Sequence, residues 1–126
     1  MAGLTLDSGA LIAFERADRK MVAHLKEAEQ RGCELTVSTA VVAEVWRGGR
    51  RSARMGALLG ACVIEPVDDE LARSAGEALA MVRGGGVVDA IVMASAARRA
   101  DRVLTTDADD MARLQARFPS VRVIRL

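Results

Sequence analysis

Residues that build many enzyme sites are scarce in this chain. Its 126 residues include one histidine, His24, and two cysteines, Cys33 and Cys62. His24 lies within the helix-like stretch "MVAHLKEAEQ", which favours a surface position, and the two cysteines lack the spacing of a metal site. These absences argue against a zinc enzyme and against a hydrolase that relies on histidine.

Aromatic residues are also rare, since the chain has no tyrosine, one tryptophan and two phenylalanines. RNA-recognition sheets and OB-folds stack bases on aromatic side chains, and this chain has too few for such a platform. The formal net charge of +1 gives no global positive field that would attract nucleic acid. If this protein binds RNA, we expect it to hold phosphate groups rather than stacked bases.

Long apolar runs are missing as well. No run approaches the roughly 18 residues that a transmembrane helix needs, and the N-terminus lacks the basic and apolar segments of a secretion signal. We therefore expect a cytoplasmic protein with no membrane partner. The length suits one domain, and the sequence contains no repeat or linker, so we expect residues 1–126 to form a single unit.

The chain does contain a regular alternation of two kinds of segment. Strand-like runs occur at "LTL", "CELTVS", "ACVIEPV", "DRVLTT" and "VRVIRL". Helix-like stretches separate them at residues 10–31, 39–59, 69–83, 87–100 and 109–117, with breaks near Asp18 and at Gly48-Gly49. This order predicts an α/β domain with a mainly parallel sheet of about five strands and helices on both faces.

Two of the predicted strands end on an aspartate, because Asp7 follows "LTL" and Asp107 follows "RVLTT". In open α/β sheets, ligands bind beyond the carboxyl ends of the strands. We therefore expect both carboxylates at one edge of the sheet. The alternative for Asp7 is a helix cap, since aspartate accepts hydrogen bonds from the free N–H groups of a first helical turn.

Two further acids have apolar or small neighbours. Glu44 lies at the border of the apolar helical face that we predict for Val41, Val42, Val45 and Trp46, and its alternative is an ordinary surface position. Asp89 lies in the first turn of "VVDAIVMASAA", a helix that we expect to be buried. A charge there costs on the order of several kcal/mol unless it is paired or bound to metal. Its alternative is a cap stabilised by the helix dipole.

A third acidic group, Asp107, Asp109 and Asp110, stands where the last helix starts. We assign Asp109 to capping and rank Asp107 before Asp110 as a site residue. Converging carboxylates repel one another until a divalent cation neutralises them, and oxygen donors without His or Cys favour Mg²⁺ or Mn²⁺. Such a cluster is typical of phosphoryl chemistry with a metal-activated water. Since "RGGGVVDA" lacks the ending of a P-loop, a nuclease is the leading hypothesis.

Four segments resemble the PIN-domain family, and within it the VapC-like toxins of bacterial type II toxin–antitoxin systems. They are "LDSGALIAF", "TAVVAEVWRG", "VVDAIVMASAARRADRVLTTDADDM" and the closing strand, so the likeness covers essentially the whole chain. The resemblance implies a five-stranded parallel sheet and an endoribonuclease that cuts single-stranded RNA with Mg²⁺ or Mn²⁺. It also implies a homodimer and neutralisation by a small antitoxin.

The resemblance assigns roles to individual residues. The positions that match the family's acidic quartet, which would be catalytic and would bind the metal, are Asp7, Glu44, Asp89 and Asp107. Thr106 matches a supporting hydroxyl, Ser8 is a second candidate, and Asp110 remains the alternative to Asp107.

An arginine-rich stretch, "RGGRRSAR", lies within the second helix-like stretch, across its predicted break at Gly48-Gly49. Arg47, Arg51 and Arg54 share one helical face if the helix continues through the glycines, and they would then contact RNA phosphates or the antitoxin. The alternative is a solvated surface.

Two rival functions stay open. One is a catalytically inactive PIN-like module that binds RNA or protein and uses its acids only structurally. The other is an Asp-based phosphotransfer domain, which normally needs a lysine after a late strand, where neither Lys20 nor Lys26 lies.

Overall fold

A computed structural model describes residues 2–126. Five strands form one sheet in the order β3-β2-β1-β4-β5, and every pairing in it is parallel. The strands are β1 (Leu4–Leu6), β2 (Leu35–Ser38), β3 (Val63–Glu65), β4 (Arg102–Thr105) and β5 (Arg122–Arg125). The predicted α/β class and the parallel five-stranded sheet are confirmed.

Seven α-helices and one 3₁₀ turn, Gly49–Ser52, connect the strands. The helices are α1 (Ser8–Glu15), α2 (Arg19–Gln30), α3 (Thr39–Val45), α4 (Ala53–Gly60), α5 (Asp69–Met81), α6 (Val87–Arg99) and α7 (Ala108–Gln115). Both predicted helix breaks are confirmed, between α1 and α2 and between α3 and α4.

The two breaks have local causes in the sequence. Asp18 caps α2 by accepting a hydrogen bond from the backbone N–H of Met21 at 2.9 Å. Gly48 and Gly49 have φ angles of 78° and 61°, a left-handed conformation that residues with a Cβ rarely adopt. The chain therefore leaves helical geometry at both places.

Strand order reverses direction beside β1. From β1 the chain moves outward to β2 and β3, and then crosses back to β4 on the other side of β1. Ligands of open α/β sheets bind at such a reversal, beyond the carboxyl ends of the strands. Asp7 follows β1 and Asp107 lies two residues after β4, so the fold carries both to this place.

The core packs around the central strand and helix α6. All three residues of β1 are buried, and because neighbouring strand residues point to opposite faces, both faces of the sheet are covered. Helix α6 is buried from Ala90 to Ala96 and packs against three strands, β1, β2 and β4. The prediction of a buried helix here is confirmed. None of the helices within residues 2–126 is long and apolar enough to cross a bilayer.

One residue of the predicted apolar helical face lies elsewhere. Trp46 was assigned to the apolar face of a helix, but α3 ends at Val45 and the Trp46 backbone is extended, with φ −77° and ψ 127°. Its side chain is consequently exposed, while Val41 and Val45 are buried as expected.

Candidate metal centre

Asp7 is a buried carboxylate held by neutral donors. Its Oδ1 accepts a hydrogen bond from the backbone N–H of Ala10 at 2.9 Å, and its Oδ2 accepts one from the hydroxyl of Thr105. Burial is the main reason why the pKa of Asp7 rises to about 6, and the negative charges of Asp89 and Asp107 raise it further. Asp7 therefore caps α1 and also lies next to other carboxylates, so the cap and the site hypotheses are compatible.

Three more carboxylates converge beside it. Asp89, Asp107 and Asp110 each offer an oxygen, and these oxygens lie within 4.8 Å of one another. Asp89 is half-buried in the first turn of α6, whereas Asp107 and Asp110 belong to the start of α7. The strand-to-helix turn after β4 thus faces the beginning of the buried helix.

The carboxylates of this group repel one another, although Asp110 also pairs with Arg113 at 3.6 Å. Burial raises the pKa of Asp89, and the charges of Asp107, Asp110 and Glu44 raise it further, while the Gly86 N–H lowers it by a hydrogen bond. The pKa of Asp107 is raised chiefly by a hydrogen bond with the Asp110 carboxyl. Protons or a cation are needed here to offset the clustered charge.

Asp109 does not have the capping role that we assigned to it. Asp107 occupies the cap position of α7, and the Asp109 carboxylate instead accepts a hydrogen bond from Arg125 at 2.7 Å. Asp109 is exposed and is not one of the three converging acids. The assignment was wrong because a long arginine on β5 reaches Asp109 from outside the helix.

Glu44 lies at the rim of the group. It is exposed on α3, it accepts a hydrogen bond from the Ser8 hydroxyl, and its charge raises the pKa of Asp89. Ser8, which we had placed in a supporting role, thus connects the first turn of α1 to Glu44. The fold gathers all four acids of the predicted quartet in one area, together with Asp110.

Sequence reasoning missed Thr105. We had selected Thr106 for the supporting hydroxyl, but the hydroxyl on Asp7 belongs to Thr105, which also accepts the backbone N–H of Asp107 at 2.8 Å. Thr106 is exposed and lies against Gly9. The signal that distinguishes them is strand register, because Leu104 pairs with Leu6 and places Thr105 beside Asp7.

The three arginines of "RGGRRSAR" do not share a helical face. Arg47 lies in the loop after α3, Arg51 in the 3₁₀ turn, and Arg54 in α4. Arg54 donates a hydrogen bond to the Phe14 carbonyl at 3.1 Å and stacks 4.6 Å from the Phe14 ring centroid. The helix does not continue through the glycines, so the condition for a common face is not met.

The donor set fits a hard divalent cation. Every converging side chain is a carboxylate, and Mg²⁺ and Mn²⁺ prefer oxygen ligands whereas Zn²⁺ usually takes His or Cys. The pKa values of Asp7, Asp89 and Asp107 are raised by burial and by neighbouring carboxylates, and a bound cation would act against this rise.

Several solved structures have a similar fold. A chain of VapBC2 from Rickettsia felis, solved with a DNA fragment from its promoter, matches with a TM-score of 0.79 at 12% identity over 98% of both chains. A chain of DNA-bound VapBC from Salmonella typhimurium matches with a TM-score of 0.71 at 14% identity, over 99% of this chain and 98% of that one. A chain of FitAB bound to IR36 DNA has a TM-score of 0.69 at 19% identity, over 97% and 94%. At sequence identities this low, the structural matches show a shared fold and nothing further.

Sequence comparison leads to the same architecture by an independent route. No curated protein sequence matches this chain. The family model described as the PIN domain, however, matches residues 4–116, which include all four acids of the quartet, Asp110 and Thr105. This chain belongs to the PIN domain family.

Proposed function

We propose that this protein is a metal-dependent endoribonuclease and the toxin of a toxin–antitoxin pair. The observation that carries the proposal is the convergence of Asp89, Asp107 and Asp110 within 4.8 Å, next to the buried Asp7. Membership of the PIN domain family and the fold shared with chains of VapBC and FitAB complexes support it.

Each residue has a distinct part in the proposed chemistry. Asp89, Asp107 and Asp110 would hold Mg²⁺, for which Mn²⁺ could substitute, and Asp7 would add negative charge beside Asp89 and Asp107. A bound Mg²⁺ would supply an activated water and stabilise charge on the phosphate and on the leaving oxygen. Thr105 keeps the Asp7 carboxylate in one orientation through its hydroxyl.

Glu44 differs from the other acids because it is exposed and bonded to Ser8. An exposed carboxylate at the rim can accept a proton from water and release it to solvent, which is the task of a general base. We assign Glu44 to that proton transfer, with Ser8 fixing its position.

The same comparisons support one of the proposed partners, the antitoxin. The matched structures are of VapBC and FitAB complexes on DNA. We propose that this chain binds a small cognate antitoxin, that it forms a homodimer, and that it acts on RNA in the cytoplasm. Arg47 and Arg51, which are exposed beside the glycine turn, are candidates for contact with RNA or antitoxin.

Cleavage of total bacterial RNA by the purified, antitoxin-free protein tests the activity. Reactions would contain Mg²⁺, Mn²⁺ or EDTA, and Asp7→Asn would control for contaminating nuclease. Discrete metal-dependent fragments that are absent with the variant are expected, and their ends would identify the cleavage site. A folded protein that cuts nothing with either metal would instead favour a PIN-like binding module without catalysis.

A further inference from the structure

A cavity opens beside the acidic group, and it has no role in the chemistry described above. It has a volume of about 510 Å³ and is lined by Gly9, Ile12, Ala13, Arg16, Asp18 and Thr106. Cavities of roughly 300–1,000 Å³ accommodate small organic ligands. We infer that this cavity is the subsite for one nucleotide of the RNA chain next to the cleaved phosphate, with Arg16 binding a phosphate of that strand.

The floor of the cavity connects it to the carboxylates. A Cβ on Gly9 would lie 2.0 Å from the Thr106 hydroxyl oxygen and 3.4 Å from Oδ1 of Asp7. Because Gly9 has no side chain, the turn between β4 and α7 can pack directly against α1. Gly9 also lines the cavity, so the cavity begins next to the Asp7 carboxylate. A nucleotide seated there would belong to a strand that continues over the acidic group.

The wall and the rim offer complementary chemistry. Ile12 and Ala13 are partly exposed apolar residues of α1, suited to the flat or apolar parts of a nucleotide, and Thr106 adds an exposed hydroxyl. Arg16 is exposed at the end of α1, and no carboxylate among residues 2–126 pairs with its guanidinium. An arginine without an acidic partner is a natural phosphate ligand.

Asp18, the one acid of the cavity, is already engaged. Its Oδ1 accepts a hydrogen bond from the Met21 N–H and so caps α2. No ion pair joins Asp18 to Arg16 within residues 2–126. The loop that carries both residues is held by backbone hydrogen bonds, from the Ala17 N–H to the Phe14 carbonyl and from the Asp18 N–H to the Ala13 carbonyl, both at 2.9 Å. The cavity is therefore preformed, which reduces the entropy lost when a ligand binds.

This inference rests on the proposed nuclease function, and its test separates the two. Steady-state cleavage of a pool of single-stranded RNA 12-mers would be measured for wild type, Arg16→Glu and Ala13→Phe. The matched control is Arg122→Glu, an exposed arginine at the start of β5, away from the carboxyl ends of the strands. Affinity would be followed in the Glu44→Gln background with Mg²⁺, so that RNA is bound but not consumed.

The two cavity variants should raise KM and Kd by about tenfold or more, as expected for a lost charge-assisted contact or a blocked subsite, with little change in kcat. Arg16→Glu should also reduce the slope of log Kd against log salt by about 0.7, the value of one single-strand phosphate contact. Arg122→Glu should change neither quantity. Because Arg16 is exposed, its variant is expected to fold even if Ala13→Phe does not.

An active wild type with unchanged KM, Kd and salt slope in Arg16→Glu would overturn the subsite and leave the nuclease intact. The subsite would also be rejected if the cavity variants bind RNA normally but no longer bind the cognate antitoxin. The cavity would then be a contact surface for that protein. A wild type that neither binds nor cuts RNA would reject both proposals together.

Discussion

Two groups of acids, each centred on a buried aspartate, have opposite surroundings in this protein. In the first, Asp101 accepts hydrogen bonds from the Gly3 N–H, the Thr5 hydroxyl and Arg99, each at 2.9 Å. Arg99 also pairs with Glu65, and Arg98 pairs with Asp68 at 2.7 Å. In the second, Asp7 is nearly as deeply buried as Asp101, yet it has only neutral hydrogen-bond donors and its charged neighbours are other carboxylates.

The difference between the two groups distinguishes acids with a structural role from acids of the candidate metal site. Acids that are matched by arginine have their desolvation cost offset internally, and they hold β1, β3 and α6 together. Acids whose neighbours are mainly other acids raise one another's pKa and leave a cost that an external cation can remove, even though Asp110 has a longer pair with Arg113 at 3.6 Å. A buried aspartate can therefore be assigned to the structure or to a functional site only after its charged neighbours have been identified.

The largest effect is expected from the arginine-paired group. Arg99→Met should lower the free energy of unfolding by about 3–5 kcal/mol, because it leaves the buried Asp101 without its cation and leaves Glu65 with only the longer pair to Arg98 at 3.9 Å. Urea unfolding would measure it. Arg73→Met, which breaks an exposed pair with Asp69, should cost less than about 1 kcal/mol. Equal effects of the two variants would mean that burial of the pair has no energetic importance.

The acidic group should respond in the opposite way. Asp89→Asn should reduce RNA cleavage by about a hundredfold or more, because a charge that would hold the metal is lost. The metal-free variant should be no less stable than wild type, since one source of repulsion is removed. Cleavage assays and urea unfolding in EDTA test both halves. A strongly destabilised variant that still cuts RNA would contradict the assignment of Asp89.

A third effect concerns the pH dependence of the metal-free protein. The pKa of Asp7 rises from 3.8 to about 6 on folding, so the folded state binds the proton more tightly than the unfolded state. Stability from this group is therefore present below pH 3.8 and is lost as the pH rises to about 6, by roughly 3 kcal/mol. Asp7→Asn should flatten this part of the profile measured in EDTA. An unchanged profile would mean that other groups cause it.

The smallest effect should come from Thr105. Thr105→Val keeps the shape of the side chain but removes the hydroxyl that contacts Asp7 and accepts the Asp107 N–H, so we expect a loss of about 1–3 kcal/mol of stability. Cleavage should also fall, because Asp7 loses a contact that orients it. Thr106→Val is the matched control, and it should have little effect on stability because Thr106 is exposed. A larger effect on stability at Thr106 would reverse the roles that we give the two residues.

Much of the candidate site could be predicted because its signals are local. An aspartate after a buried strand, as at Asp7, and a charge in an apolar helix, as at Asp89, are visible in a single segment. The errors fall where distant segments decide the outcome. Arg125 of β5 attracts Asp109, and the parallel register of β1 and β4 selects Thr105 over Thr106.

The sequence by itself determined the α/β class, the helix breaks and the acids placed at strand and helix ends, because hydrophobic periodicity, turn residues and caps act over a few residues. Only the tertiary structure decided which buried acid is neutralised by arginine and which is left facing other acids. Electrostatic energy depends on distance in space rather than on separation along the chain, and Asp101 meets Gly3 and Thr5 across 98 and 96 residues. Packing between distant segments likewise decides that Gly9 lies against Thr106, beside the carboxylates, where both residues line the cavity.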